Sequence, residues 1–305
     1  WCKKYFWEGQ NVSKEHQARL AGVSGKTETM KRLLLQNRRI LALVLPALVC
    51  HVCWLAMMIK RDRFDLFEDK YPMAIVMVFG SMVAGMSSEG GGAVAFPVMT
   101  LAFQIKPSIA RDFSVMIQSI GMTCASFSIL FMRVRIEWQA LVFGSIGGSF
   151  GLVFGLHFID PLMSAPLKKM VFTSIFFAFA SVLLFINRNH KRPTFDKITP
   201  GSWWKVLVLV VTGAAGGVMT SFAGNGLDVA TFSILTLLFR LSEKIATPTS
   251  VILMALNSVL GFYWRGVVME DISEEAWAFL VVCAPVVVIG APVGSILGSH
   301  FHRLV

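Results

Sequence analysis

Two short polar segments interrupt long apolar runs of this sequence, and both are rich in glycine. The first is SSEGGGAVAFP, Ser87 to Pro97, and the second is AGNGLDVATFS, Ala223 to Ser233. Glycine lets a ligand reach the backbone, and a helix that begins after such a break presents free N–H groups and a partial positive charge. With helices expected to begin near Ala93 and Val229, this chemistry suits the binding of an anion.

Neutral polar side chains in and around the two breaks could complete such a site. Hydroxyl and amide groups hydrogen-bond an oxyanion without a fixed cation. A serine or threonine can equally cap a helix or bond its own helix backbone, so both interpretations stay open for each residue. The residues predicted to bind the substrate are Ser87, Ser88, Gly90, Gly91, Gly92, Ser114, Gly224, Asn225, Gly226, Thr249 and Ser250.

Two carboxylates, Glu89 and Asp228, fall within the breaks, where an ionised group would repel an anion. One interpretation is that they titrate and carry the proton that couples transport. A second is that they attract a cation such as sodium, and a third is that they cap the helices that follow. Further along, Arg111 and Asp112 are expected to be an interfacial anchor and a cap, although Arg111 could also gate the access of an anion.

The composition indicates a polytopic membrane protein. Of the 305 residues 55% are hydrophobic, and the net charge of +10 comes from Lys and Arg in the loops between apolar runs. Such loop charges are typical of membrane topology, so nucleic-acid binding is not expected. No motif assembles a nucleophile, a base and an orienting group, and no His or Cys spacing predicts a metal site, so neither an enzyme nor a cofactor is expected.

Apolar runs long enough to span a bilayer define the helices of an all-α fold. Six are ordinary in length: Ile40 to Ile59, Phe113 to Phe131, Leu141 to Phe158, Met170 to Ile186, Thr249 to Tyr263 and Ala276 to His300. The other two, Met73 to Phe103 and Trp204 to Phe239, are too long for one crossing and contain the glycine breaks. Discontinuous helices in corresponding positions of two halves are typical of a transporter's binding site.

The two halves align with each other. With a shift of 136 residues, Glu89 falls on Asn225, Phe96 on Phe232, and the ARDFS segment on ATPTS. With a shift of 143, Gly147, Gly151 and Gly155 fall on Gly290, Gly294 and Gly298. Glycines at every fourth position let membrane helices pack closely, so we interpret this second pattern as structural.

The loop charges favour inverted repeats. If each broken segment turns at its glycines and returns to its own side, the inner loops hold 14 Lys and Arg and the outer loops hold 9. If each broken segment crosses the membrane once, the inner loops hold 11 and the outer loops hold 12. The first arrangement gives each half an odd number of crossings and obeys the positive-inside rule. We therefore expect two inverted repeats with re-entrant, glycine-rich helices.

The expected domain organisation has four parts. Residues 1–39, with nine Lys and Arg and three Glu, form a basic cytoplasmic arm, and residues 40–59 form an additional transmembrane helix. Residues 72–186 form the first transporter repeat and residues 203–305 the second. The second repeat ends before a counterpart of the helix at 170–186, so the complete protein is expected to carry one more helix.

The duplicated motif resembles that of the TauE/SafE sulfite exporter family, the four-transmembrane-repeat sulfite exporters. The family pattern, G-x-G-G-G-x-x-x-x-P followed by A-x-x-T-S, corresponds to SEGGGAVAFP with ARDFS and to GNGLDVATFS with ATPTS. The resemblance covers roughly residues 72–305 and implies a secondary transporter that exports sulfite or organosulfonates. It implicates Gly90 to Gly92, Pro97 and Ser114 in the first half, and Gly224, Gly226, Thr249 and Ser250 in the second.

Two other functions stay open at this point. The chain could be a proton- or cation-coupled carrier of another small anion, or a transport-inactive relative that serves as a structural subunit of a larger membrane assembly. In every case the expected partners are the lipid bilayer, a small anion and a coupling proton or sodium ion, with an oligomer also open. The N-terminus is expected in the cytoplasm, and the sequence does not specify which membrane holds the protein.

Overall fold

The computed structural model describes residues 38–87, 90–188, 193–198 and 203–300, and these residues fold as α-helices joined by short loops. Most of the predicted basic arm, 1–37, lies outside this range, as do Ser88 and Glu89. The helices are α1 (Arg38–Arg61), α2 (Leu66–Met86), α3 (Gly92–Pro97), α4 (Pro107–Phe131), α5 (Trp138–Phe154), α6 (Ala165–Arg188), α7 (Trp203–Ala223), α8 (Leu227–Ser233), α9 (Glu243–Tyr263) and α10 (Glu274–His300). Single π-helical turns extend α3, α5, α8 and α9, over Val98–Ala102, Gly155–Ile159, Ile234–Leu238 and Trp264–Val268.

The predicted all-α, multi-pass fold is confirmed. In the described part of the chain, seven helices have the length and apolar composition to cross a membrane, and they include all six of the ordinary runs found in the sequence. The seventh is α7, the first part of the second broken run. The helical pieces that follow the breaks, Gly92–Ala102 and Leu227–Leu238, are apolar but shorter. A helix satisfies its own backbone hydrogen bonds, which an apolar membrane requires of any spanning segment.

The element order of the first half recurs in the second. In each half a 21-residue helix (α2 or α7) leads through a glycine break to a short helix (α3 or α8), and two long helices follow. The halves interlock, because α5 of the first packs along α7 of the second while α10 of the second packs along α2 of the first. The helices α4 and α9 pack against each other between these pairs.

Glycine allows both of these helix pairs to pack backbone against backbone. A Cβ atom at Gly151 of α5 would lie 2.0 Å from the Ala214 carbonyl oxygen of α7, and one at Gly147 would lie 2.1 Å from Val210 O. In the other pair, a Cβ at Gly294 of α10 would lie 2.2 Å from the carbonyl oxygen of Met82 in α2. The glycine pattern predicted to be structural therefore lies at the two closest helix contacts between the halves.

The two ends of each broken segment are neighbours. Asp69 and Met73 at the start of α2 line a cavity of about 270 Å³ together with Phe103 and Ile105, which follow the short helix. In the second half, the ring centroids of Trp204, at the start of α7, and Phe239, after α8, lie 6.0 Å apart. In each half, therefore, the start of the helix before the break lies near the residues that follow the short helix.

Polar contacts connect one set of loops around α2, α4 and α10. Arg63, before α2, forms an exposed ion pair with Glu274 at the start of α10, with 3.9 Å between Nη1 and Oε2. Ser108, in the first turn of α4, and Ser273, before α10, line one cavity with Asp160, which follows α5. The loops before α2, α4 and α10 and the segment after α5 therefore lie at one end of the molecule.

A second set of loops meets around Glu137, the residue before α5. The Glu137 backbone N–H donates to the Thr249 hydroxyl oxygen at 2.9 Å, and its carboxylate accepts a hydrogen bond from the Ile198 N–H at 3.2 Å. The neighbouring Phe195 N–H donates to the Arg240 carbonyl oxygen at 2.8 Å. The segments before α5, α7 and α9 are therefore grouped together.

We predict that Gly151→Ala destabilises the protein, because the added methyl group would meet backbone atoms of α7 that cannot rotate away. Overpacking of this kind costs about 1–3 kcal/mol. The matched control is Gly266→Ala, whose nearest neighbour would be the Ile272 Cδ1 atom at 3.4 Å, an ordinary contact. Melting temperatures in detergent should fall for Gly151→Ala alone; equal values for the two variants would contradict the close approach of α5 and α7.

Candidate binding site at the two glycine breaks

The first break turns the chain between α2 and α3. Gly90 has φ 69°, a left-handed conformation that glycine adopts without strain, and α3 begins two residues later at Gly92. Gly90, Gly91 and Gly92 are all buried, and Ser87 is half-buried. The predicted site residues Ser88 and Glu89 lie outside the described residues. The helix start expected near Ala93 is at Gly92.

The second break has the same form, and part of it is held by the chain's own side chains. Gly224 and Gly226 have φ values of 73° and 151°, and α8 begins at Leu227, close to the expected Val229. The Leu227 N–H donates to the Thr220 hydroxyl oxygen at 3.1 Å. The Gly226 N–H donates to Oδ1 of Asp228, also at 3.1 Å, so this buried carboxylate caps a backbone N–H of the break.

The two breaks meet directly. A Cβ atom at Gly92 would lie 3.2 Å from the Gly224 carbonyl oxygen, although the two residues are far apart in the sequence. Gly224 in turn lies against α4, since its Cβ position would be 2.7 Å from Ser114 Cβ and 2.8 Å from Arg111 O. The structure therefore brings together Gly92, Gly224 and Ser114 of the predicted site.

The predicted hydroxyl donors direct their hydrogen bonds to their own helices. Ser114 donates to Ala110 O at 2.7 Å, Thr249 to Ile245 O at 2.6 Å, and Ser250 to Thr247 O at 2.9 Å. All three side chains are fully buried. In this conformation each keeps only oxygen lone pairs for other partners, and Thr249 uses its oxygen to accept from the backbone before α5. Backbone N–H groups are therefore the better candidates for anion binding than these hydroxyls.

Two residues that the sequence interpretation missed face the breaks from α4 and α9. The Gln118 Nε2 atom lies 2.0 Å from the position that a Cβ would take at Gly92. The Met254 Sδ atom lies 2.5 Å from the corresponding position at Gly90. Gln118 and Met254 are 136 residues apart, so the repeat register relates them. Gln118 has the largest polar side chain in the run Phe113 to Phe131, and this was the sequence signal for its position, since large polar groups are costly inside a membrane.

Comparison of the sequence with models of known protein families identifies the class of protein. The family model described as sulfite exporter TauE/SafE matches residues 73–304, well over half of the chain. The chain belongs to the TauE/SafE sulfite exporter family. With its apolar helices, this TauE/SafE member is an integral, multi-pass membrane protein of a transporter family, as the sequence predicted. Neither the comparison with curated proteins nor that with solved structures finds a match.

A buried ionic cluster lies beside the breaks in this TauE/SafE member, where the sequence predicted an interfacial anchor. Arg111 and Asp112 are only 2% and 4% exposed, and Asp112 lies beyond the first turn of α4, so it does not cap this helix. They belong to a chain of alternating charges, which runs in the order Lys168, Asp160, Arg111, Asp112, Arg265 and Asp271. The sequence did not suggest this burial because Arg265, the partner of Asp112, is 153 residues further along the chain.

Asp112 is the centre of this ionic cluster. Its Oδ1 accepts from Nε of Arg111 at 2.9 Å and from Nε of Arg265 at 3.0 Å, and its Oδ2 accepts from Nη2 of Arg265 at 2.9 Å. Arg111 also pairs with Asp160 and donates to the Ser221 carbonyl oxygen at 3.4 Å, next to the second break. The cluster therefore ties α4 to the ends of α5, α7 and α9.

We predict that Asp112→Asn strongly destabilises the protein. The substitution removes the negative charge between two buried guanidinium groups, and breaking a buried ion pair from one side costs about 3–5 kcal/mol. The matched control is Asp196→Asn. Asp196 pairs with Arg135 at 3.9 Å, and both side chains are over 70% exposed. An exposed ion pair of this kind contributes about 0–1 kcal/mol to stability. Equal melting temperatures for the two variants would contradict the role of Asp112 as the centre of the cluster.

Proposed function

We propose that this protein transports a small sulfur-containing oxyanion, sulfite or an organosulfonate, bound where the two glycine breaks meet. The observation that carries the proposal is the position of Gly92, whose Cβ site lies 3.2 Å from the Gly224 carbonyl oxygen. Two breaks at one point let the helical pieces on both sides offer backbone groups to a single ligand. Membership of a sulfite exporter family supports the chemical class of that ligand.

Neutral groups and helix ends would bind the anion. The helical pieces Gly92–Ala102 and Leu227–Leu238 both begin at the breaks, so their positive ends lie near the proposed site. The nearest buried guanidinium, that of Arg111, is already paired with Asp112 and Asp160. A site without a free cation binds an anion moderately, which suits a carrier that must also release its substrate.

We further propose that each broken segment is re-entrant and that the two halves are inverted in the membrane. The neighbouring ends of each broken segment support this topology, as do the two groups of loops. The group around Glu137 includes residues 193–198, which belong to the basic loop between α6 and α7. The positive-inside rule assigns this basic loop to the cytoplasm together with the N-terminus. The other group, with the acidic residues at 270–275, would then face the opposite side.

Transport through this site requires movement, because its residues are enclosed by protein. Gly90 to Gly92, Gly224 to Gly226 and Ser114 are all buried. The backbone contacts of α5 with α7 and of α2 with α10 make each pair a compact unit that includes helices of both halves. Rocking of such units about a central site gives alternating access in transporters with inverted repeats.

Among the residues that the structure describes, Asp228 is the candidate for coupling transport to a proton. It is fully buried at the second break and accepts a hydrogen bond from the Gly226 N–H. A carboxylate at this position can serve as a cap and, in its protonated form, can carry one proton with each substrate. The same role for Glu89 rests on the sequence alone.

The test is a flux assay with the full chain reconstituted in liposomes. Radiolabelled sulfite trapped inside should leave with saturable kinetics, an organosulfonate should compete with it, and an imposed pH gradient should change the rate. Empty liposomes give the background. No flux above that background, or a chloride flux that sulfite does not inhibit, would contradict the proposed function.

Asp228→Asn in the same assay separates proton coupling from capping. Asparagine keeps an oxygen that can cap the Gly226 N–H but cannot carry a proton, so flux should continue without a response to the pH gradient. Asp228→Ala is the matched control that loses the cap as well, at a cost of about 1 kcal/mol in stability. If the flux through the Asp228→Asn variant responds to the pH gradient as the wild-type flux does, Asp228 acts only as a cap.

A further inference from the structure

Gln118 is a buried residue of α4, and only one of its two side-chain amide atoms has a hydrogen-bond partner among the described residues. The residue is 1% exposed. Its amide oxygen accepts a hydrogen bond from the Ser258 hydroxyl of α9 at 3.1 Å. Its amide nitrogen has no hydrogen-bond partner among the described residues. A buried donor without a partner is uncommon in native proteins because it loses its hydration without a replacement.

The free amide nitrogen points between the two breaks. It lies 2.0 Å from the Cβ position of Gly92, and the carbonyl oxygen of Gly224 lies 3.2 Å from that same position. The Gln118 Cδ atom is also 3.6 Å from the Cβ position of Gly90. The absence of a side chain at Gly92 is what leaves room for the amide, so the first break and Gln118 are sterically matched.

The hydrogen bond from Ser258 sets the orientation of this amide. A hydroxyl that donates to Oε1 holds the oxygen on the α9 side and turns the amino group toward the glycines. The repeat register supplies no equivalent donor from the other half, because Met254 occupies the corresponding position and places its sulfur near Gly90. Gln118 therefore presents an oriented amide donor where the breaks meet.

We propose that Gln118 contacts the substrate directly, donating a hydrogen bond from Nε2 to an oxygen of the bound sulfur oxyanion, with Ser258 as the positioning residue. This inference rests on the proposed function and adds a specificity-determining contact to it. An oxyanion oxygen is an acceptor only, so it fits an oriented N–H group, whereas a metal cation would require an acceptor at the same place. The unpaired donor gains its partner only when the substrate binds.

The test measures melting temperature in detergent, without and with sulfite, for the full chain and for Gln118→Met. Methionine has a similar shape and removes the unpaired buried amide, but it also removes the acceptor of the buried Ser258 hydroxyl, so the substrate-free stability should change little. The affinity for sulfite, read from the concentration dependence of the shift, should fall by about tenfold or more, the loss expected for a hydrogen bond to a charged group. Methanesulfonate in place of sulfite should show the same loss.

Three further variants complete the experiment. Gln118→Glu keeps an oxygen for Ser258 but replaces the donor with a carboxylate, so it should also lose the response to sulfite, and it carries the test if the methionine variant does not fold. Ser258→Ala should weaken sulfite binding less than Gln118→Met. The matched control is Asn257→Leu, which removes another buried amide that is held by Leu253 O and faces Gly148, and its response to sulfite should remain.

The outcomes separate this inference from the proposed function. If the wild-type protein responds to sulfite and the Gln118 variants respond equally, Gln118 does not contact the substrate and the proposed function stands. If Gln118→Met is less stable without substrate but binds sulfite with wild-type affinity, the amide has a structural role and the inference is overturned. If the wild-type protein shows neither a thermal shift nor flux with sulfite, both are overturned.

Discussion

The structure depends on the close approach of helix backbones where glycine removes the Cβ atom. Gly151 against Ala214 and Gly294 against Met82 bring α5 onto α7 and α10 onto α2, at separations that a single methyl group would prevent. Because each of these pairs joins one half of the chain to the other, the halves interlock. The helices α4 and α9 are then held together between the pairs, next to the two breaks.

The glycines of the breaks have a different physical consequence from those of the helix contacts. At the breaks, the left-handed turns at Gly90 and Gly224 interrupt regular helical hydrogen bonding in a buried region. The chain satisfies part of this exposed backbone itself, through Thr220 and Asp228. Gln118 adds a side-chain donor that the described residues do not satisfy. A ligand rich in acceptor atoms would complete this arrangement, which is why the proposed substrate is an oxyanion.

The two halves have a similar order of helices but differ in their chemistry. The glutamine that faces the first break corresponds to Met254 in the second half. Arg111 and Asp112, which form the centre of a buried ionic cluster, correspond to Thr247 and Pro248. The cluster therefore stabilises only one end of the bundle, where the loops around α2, α4 and α10 meet. Opening the bundle at that end would have to separate these buried ion pairs.

Much of the fold could be predicted from the sequence because it depends on local patterns. Apolar length identified the spanning helices, and glycine runs located the breaks within two residues of the observed helix starts. The binding site was harder to predict from the sequence, because the roles of its residues depend on contacts between residues that are distant in sequence. Asp112 pairs with Arg265, which follows α9, and Gln118 matters because Gly92 lies beside it. Neither of these contacts has a periodic signal.

The most direct test of the proposed binding site is to locate a bound oxyanion. Selenite is a close analogue of sulfite, and its selenium atom gives an anomalous signal in crystals of the protein grown with it. A selenium peak is expected beside the two breaks, with an oxygen about 3 Å from Gln118 Nε2. A peak in the cavity lined by Arg111 and Arg265, with none at the breaks, would contradict it.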